Sequence, residues 1–201
     1  DVYKRQTHGQ PVVNYGTENY FNAAYGFDEV HAYLTSYAGC YATIDDGICM
    51  INYTAHGSQT SWGNPNMSQT MVNNLTNVGK YPLAIGNCCL ACDFGYSECF
   101  GETWARATHN TTGEPTGSIG YIGSAPSSYW DEDVYWAIGA FPTVGSGPTP
   151  PSYDETTWGA YDGPFVSDYV TQDALIFVGN LAVTEADAQG FPGSVSPLYY
   201  W

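Results

Sequence analysis

Two short apolar runs, each closing on a reactive side chain, constrain this chain more than any other feature. The first, Ile48-Cys49-Met50-Ile51-Asn52-Tyr53-Thr54-Ala55, ends in His56-Gly57. The second, Tyr81-Pro82-Leu83-Ala84-Ile85-Gly86, ends in Asn87-Cys88-Cys89. Runs of this length, bounded by turn residues, read as buried strands. Loops beyond the carboxyl ends of such strands are where open α/β sheets bind ligands. His56 and Cys89 stand 33 positions apart, the length of one strand–helix–strand excursion, which sets two neighbouring strand ends side by side.

That pairing has a chemical meaning. A thiol of pKa about 8.5 holds few thiolates at neutral pH unless a partner takes its proton, and an imidazole near 6.5 suits that task. Cys89 is therefore the candidate nucleophile and His56 its base. Gly57 permits close backbone approach, so its N–H and that of Cys89 are candidates for an oxyanion hole. Taken singly, each residue also has a bland reading, a hydrogen-bonded structural histidine and a cysteine of the core. Strand logic alone leaves both Cys88 and Cys89 at the sheet edge.

Composition bounds the rest. With 43% hydrophobic and 12% charged residues, 201 residues suit one domain with a real core. Four basic against 20 acidic side chains give a net charge of −16. Such a surface repels phosphate backbones and anionic lipid, so nucleic acid and membrane insertion are not expected, whereas a cationic ligand is drawn in. No stretch approaches the roughly 18 apolar residues of a spanning helix. Residues 1–6 hold Lys4 and Arg5 and read as a non-native scar. The aromatic run Leu198-Tyr199-Tyr200-Trp201 reads as element interior. Residues 7–201 are thus expected to be a single catalytic domain or subdomain, truncated at both ends. Richness in Tyr, Asn and Gly with little Lys suits an exported protein. Four of the six cysteines fall within residues 88–99, too local for a disulfide framework.

Along the chain, residues 7–22 read as loop and 22–37 as an amphipathic helix carrying Phe27, Val30, His31 and Leu34. A strand over 48–55 precedes a polar loop at 57–66, and Ser68 caps a helix through Leu75. After the strand at 82–86, a helix spans about 99–108 and a third strand 118–124. Asp131, Glu132 and Asp133 open another helix, with acid where the helix dipole favours it. Residues 141–152 read as a Pro/Gly loop, and 166–183 as a helix with Asp168, Tyr169, Gln172 and Asp173 toward water. Strands alternating with helices predict an α/β fold with a mostly parallel sheet covered by helices on both faces.

Several of these stretches resemble a known family. Ile51-Asn52-Tyr53-Thr54-Ala55-His56-Gly57-Ser58-Gln59-Thr60-Ser61-Trp62 resembles the His-Gly block of the gingipains, bacterial cysteine endopeptidases of caspase-like fold. Leu83 to Cys89, with Cys99-Phe100-Gly101-Glu102, resembles their cysteine block. Residues 122–136 (IGSAPSSYWDEDVYW) and Gly179-Asn180-Leu181-Ala182 are similar to the lysine-specific members in particular. The resemblance runs from about residue 48 to the end. It implies Cys89, not Cys88, as nucleophile, His56 as base, and Gly57 and Cys89 as oxyanion donors. It further implies hydrolysis of protein or peptide substrates after Lys, through a thioester, by a secreted or cell-surface enzyme. The acid that orients the histidine in such enzymes would fall at or before the first residue, and nothing matches Glu29, Asp45 or Asp46 to that role.

For specificity the resemblance places the lysine-reading carboxylate at Asp133, with Thr54 and Asn87 adding polar contacts. Tyr129 and Trp130 can wall the methylene stem and offer a face to the cation. Read without the family, Asp131 to Asp133 are simply a solvated helix start. The acid by which arginine-specific relatives select has no counterpart around residues 7–12. The chemistry requires no cofactor. Structural calcium is implied by the family, with Asp154, Glu155, Glu185 and Asp187 as available acids and no ligand set assigned. Two other readings stay open: an inactive fragment or paralogue serving as a binding module, and a zinc site from Cys89, Cys92 and Cys99 with His56 or His109.

Overall fold

The computed structural model describes residues 5–33, 36–147, 149–166 and 171–193. In chain order its elements begin with a π-helical turn, Arg5–Gly9, which leads into α1 (Gln10–Asn19), followed by α2 (Tyr37–Asp46) and β1 (Met50–Thr54). Three two-residue strands come next, β2 (Gly57–Ser58), β3 (Ser61–Trp62) and β4 (Met67–Ser68), then α3 (Gln69–Val72) and β5 (Leu83–Asn87). The chain continues through α4 (Phe100–Arg106), β6 (Gly120–Gly123), α5 (Trp130–Ile138), α6 (Gly163–Val166) and α7 (Gln172–Gln189). They fall into two compact units, His31–Ser127 and Asp1–Val30 with Ser128–Trp201.

The first unit holds the sheet. β5 is central and pairs in parallel with β1 on one side and β6 on the other. The three apolar runs expected as strands all form, because each buries β-branched or aromatic side chains and ends at a turn residue. Ile51 and Tyr53 of β1 alternate inward to join Trp62, Leu75, Phe100 and Trp104 in one buried cluster. β2, β3 and β4 make a small antiparallel sheet where a polar loop was expected, and it carries Trp62 into that cluster. Ser68 caps α3 as expected, its hydroxyl accepting from the Met71 N–H at 3.4 Å, although the helix stops at Val72. At α4 the expected helix is present, and the Glu102 carboxylate accepts from the Cys99 N–H at 2.8 Å.

The second unit is helical among its described residues. α5 is buried along nearly its whole length and packs on α7, where Gly179 leaves room for the Trp136 indole. Two sequence expectations fail here and at the join with the first unit. Residues 10–19 are helix rather than loop: Pro11 presets the first turn, and Val12, Tyr15 and Gly16 recur on one buried face. Burying a side chain such as that of Val12 stabilises by about 1.5–3 kcal/mol. The helix expected over 22–37 is replaced by a single turn at Ala23–Tyr25, started by the Asn22 side chain and ended by Gly26 at φ 87°. Helix appears instead at α2, which starts where the expected helix was to end and runs through Gly39; Leu34 lies outside the described residues. The last helix begins at Gln172 and ends at Gln189, capped by Gly190 (φ 65°), with Asp168 and Tyr169 outside the described residues.

Candidate active site

β1 and β5 lie in register with Met50 opposite Leu83 and Thr54 opposite Asn87. Both strands therefore end level, and His56 and Cys89 are each two residues beyond the last pair. Adjacent strands stand about 4.8 Å apart, so the register alone makes the two segments neighbours. Gly57 tightens this. A Cβ built on it would overlap Cys88 Sγ and stand 2.9 Å from both Cys88 Cβ and the Cys89 carbonyl oxygen. The His56-Gly57 turn is thus packed directly on the Cys88-Cys89 turn, an approach only glycine allows.

The two adjacent thiols differ. Cys88 is 1% exposed and belongs to the aromatic core, whereas Cys89 is half-buried and His56 is exposed. Leu90, which follows, has φ 60°, a left-handed conformation that costs a leucine roughly 1–2 kcal/mol. It is held there by its N–H donating to the Pro126 carbonyl at 3.0 Å and by Cys92 N–H donating to Ser124 O at 3.0 Å. These bonds tie the cysteine turn to the segment after β6. Nothing in the sequence around Leu90 signalled this, since the position holds neither Gly nor Asn.

Beneath the turn, Tyr53 was missed as well. Its hydroxyl donates to the His56 carbonyl at 2.6 Å and accepts from Gly63 N–H at 2.9 Å. At the strand ends, Thr54 and Asn87 are both buried and, as directly registered residues, face the same side of the sheet. Thr54 Oγ1 has no hydrogen-bond partner among the described residues.

Tyr129, Trp130 and Asp133 lie in the other unit, around the start of α5. Tyr129 is its N-cap and is exposed, and Trp130 is its first residue. Asp133 is not part of a solvated helix start: it is 4% exposed, and its Oδ2 accepts from Ser128 Oγ at 3.0 Å. Burial pushes its carboxyl well above the usual range, against the opposing pull of the Ser128 bond. Asp131 is bound to His8, whose Nε2 lies 2.7 Å from Asp131 Oδ1 and whose ring leans on Trp130 at 5.9 Å.

Of the groups in the zinc reading, Cys92 and Cys99 are buried and His109 closes a local turn. Burial pushes the Cys92 thiol up to about 12 and raises that of Cys99. His109 Nδ1 accepts from the Thr111 and Thr112 N–H groups, closing a local turn. Among the described residues no group of three or more His, Cys, Asp or Glu side chains is placed to hold a metal ion. Glu155 binds Ser152 and Glu185 binds Gln189, and Asp45 accepts from the Thr76 N–H at 2.6 Å.

A parallel sheet with helices, and a thiol and an imidazole level at adjacent strand ends, define an α/β protein of the caspase-like class. The profile of peptidase family C25 matches residues 3–149, and the chain belongs to that family. It is 41% identical over 204 aligned residues to Lys-gingipain HG66 of Porphyromonas gingivalis, covering 100% of this chain and 11% of that protein. A solved structure described as a protease superposes with TM-score 0.88 at 40% identity, over 99% of this chain and 42% of the other. The Arg-specific cysteine proteinase gingipain R superposes with TM-score 0.57 at 26% identity, over 75% of this chain and 31% of its own. The chain thus spans about a ninth of the curated relative's length. No helix among the described residues is long and apolar enough to cross a membrane.

Proposed function

We propose that the protein is a secreted cysteine endopeptidase that cleaves after lysine, with Cys89 as nucleophile and His56 as base. The observation that carries this reading is the β1–β5 register, with Gly57 seated on the cysteine turn. In the reaction His56 takes the Cys89 proton and the thiolate attacks the scissile carbonyl carbon. The Gly57 and Cys89 N–H groups receive the oxyanion. Collapse expels the amine, which takes the proton from the imidazolium, and leaves a thioester on Cys89. Water, deprotonated by His56, then hydrolyses the thioester. None of these steps needs a cofactor.

Lysine preference rests on the 41% identical Lys-gingipain and on the surroundings of Asp133. A buried carboxylate whose charged form is disfavoured gains most from an arriving ammonium, and a neutral residue in its place leaves that cost unmet. Tyr129 and Trp130 supply aromatic surface beside it in sequence, and Thr54 and Asn87 serve as polar substrate contacts at the strand ends.

The test is the full-length protein on matched Lys and Arg amide substrates. Cys89→Ala is expected to abolish turnover while Cys88→Ala retains it, at some cost in stability. Asp133→Asn is expected to lower kcat/KM for Lys by about 100-fold or more. Turnover surviving in Cys89→Ala, or lost only in Cys88→Ala, removes the nucleophile assignment. An undiminished Lys preference in Asp133→Asn removes the pocket.

A further inference from the structure

His56 presents an exposed side chain from a loop, yet a base in proton transfer must hold its ring within a fraction of an ångström of its partner. The structure holds the residue from behind. Tyr53, three residues earlier in β1, is 5% exposed and lies flat on Trp62, ring centroids 4.4 Å apart and 9° from parallel. Its hydroxyl uses every hydrogen-bonding valence on one loop. It donates to the His56 carbonyl at 2.6 Å, accepts from the Gly63 N–H at 2.9 Å, and accepts from the Asn64 N–H at 3.2 Å. Gly63 closes the ring, its N–H also donating to the His56 carbonyl at 2.8 Å. A Cβ on Gly63 would stand 3.1 Å from that carbonyl oxygen and 3.3 Å from His56 Cβ.

We propose that Tyr53 is the positioning residue for His56: its buried hydroxyl locks the histidine's carbonyl to the returning strand and so fixes where the imidazole projects. This rests on the reading of His56 as the base. A hydroxyl bonded only to main chain adds no side-chain specificity to a strand, but here the one carbonyl it donates to is that of the base. Burial raises the Tyr53 phenol, the nearby Cys88 and Cys40 thiols act in the same direction, and the hydroxyl keeps its proton and remains a donor. The rigid side of the lock is the Trp62 stack, so the hydroxyl cannot follow the loop if the loop moves.

The test compares three variants of the full-length protein. Tyr53→Phe keeps the stack and removes only the hydroxyl. It is expected to lower kcat by about 10- to 100-fold with KM within about twofold. It should also slow alkylation of Cys89 by iodoacetamide in the same proportion and blunt that rate's rise across neutral pH. Tyr20→Phe is the stability control. It removes an equally buried tyrosine hydroxyl, one that donates to the Asp162 carboxylate in the helical unit. It is expected to lower the melting temperature while leaving kcat and alkylation unchanged. Gly63→Ala keeps the hydroxyl but crowds His56, and is expected to reproduce the kinetic loss. Wild-type kcat and alkylation in folded Tyr53→Phe overturn the proposal, as does an equal kinetic loss in Tyr20→Phe. Should Tyr53→Phe fail to fold, wild-type kinetics in Gly63→Ala overturn it. Full activity in His56→Ala would instead remove the underlying assignment of the base, whatever Tyr53 does.

Discussion

A methyl group on Gly57 would overlap Cys88 Sγ and come within 2.9 Å of the Cys89 carbonyl oxygen. Cys88 is held in the aromatic core and cannot yield, so the two turns would have to part. Gly57→Ala is accordingly expected to cost about 1–3 kcal/mol in denaturant unfolding. It should also reduce kcat/KM by roughly 100-fold through displacement of the pair. The candidate site was legible in the sequence because thiol and imidazole carry chemistry by residue type and each closed an apolar run. Which of two thiols faces out was not, and neither was the left-handed Leu90 or the lock at Tyr53. Those properties belong to a backbone that leaves and returns, and residue types record it poorly.

Among the elements, the strands could be read directly because β1, β5 and β6 each bury a short run with a turn behind it. The helix α1 could not, since Pro11 and the polar residues beside it look like loop until Val12 and Tyr15 are seen to share a face. What docks α1 is a buried carboxylate far along the chain. Asp162 accepts from the hydroxyls of Tyr20 and Tyr15, the latter at 3.1 Å, and from the Gly159 N–H at 2.6 Å. Burial raises this carboxyl and the three donors pull it back down, so its role depends on all of them. Asp162→Ala strands three buried donors at once. We expect a loss of about 3–5 kcal/mol in equilibrium unfolding, followed by tyrosine fluorescence, with the Tyr15 and Tyr20 environment released first.

For the whole molecule, 20 acidic against 4 basic side chains make charge a global variable. Self-repulsion disfavours the compact state and is screened within about 10 Å at 0.1 M salt, so added salt is expected to raise the melting temperature. The same field attracts lysine-bearing peptides, and kcat/KM for short cationic substrates is expected to fall as salt rises while kcat stays constant. A salt-independent kcat/KM would show that encounter is not steered. The expectation that nucleic acid is not a partner rests on this same imbalance, which is visible before any fold is known. The register of β1 on β5 has a consequence for how such a chain can diverge. His56 and Cys89 are kept level by backbone pairing rather than by the count of residues between them. Doubling the excursion that joins the strands would cost only about 0.6 kcal/mol in loop closure. Beyond the residues that enter the core or hold the His56 turn, the intervening segment is therefore free to lengthen or acquire new surfaces over generations, while the strand ends stay level.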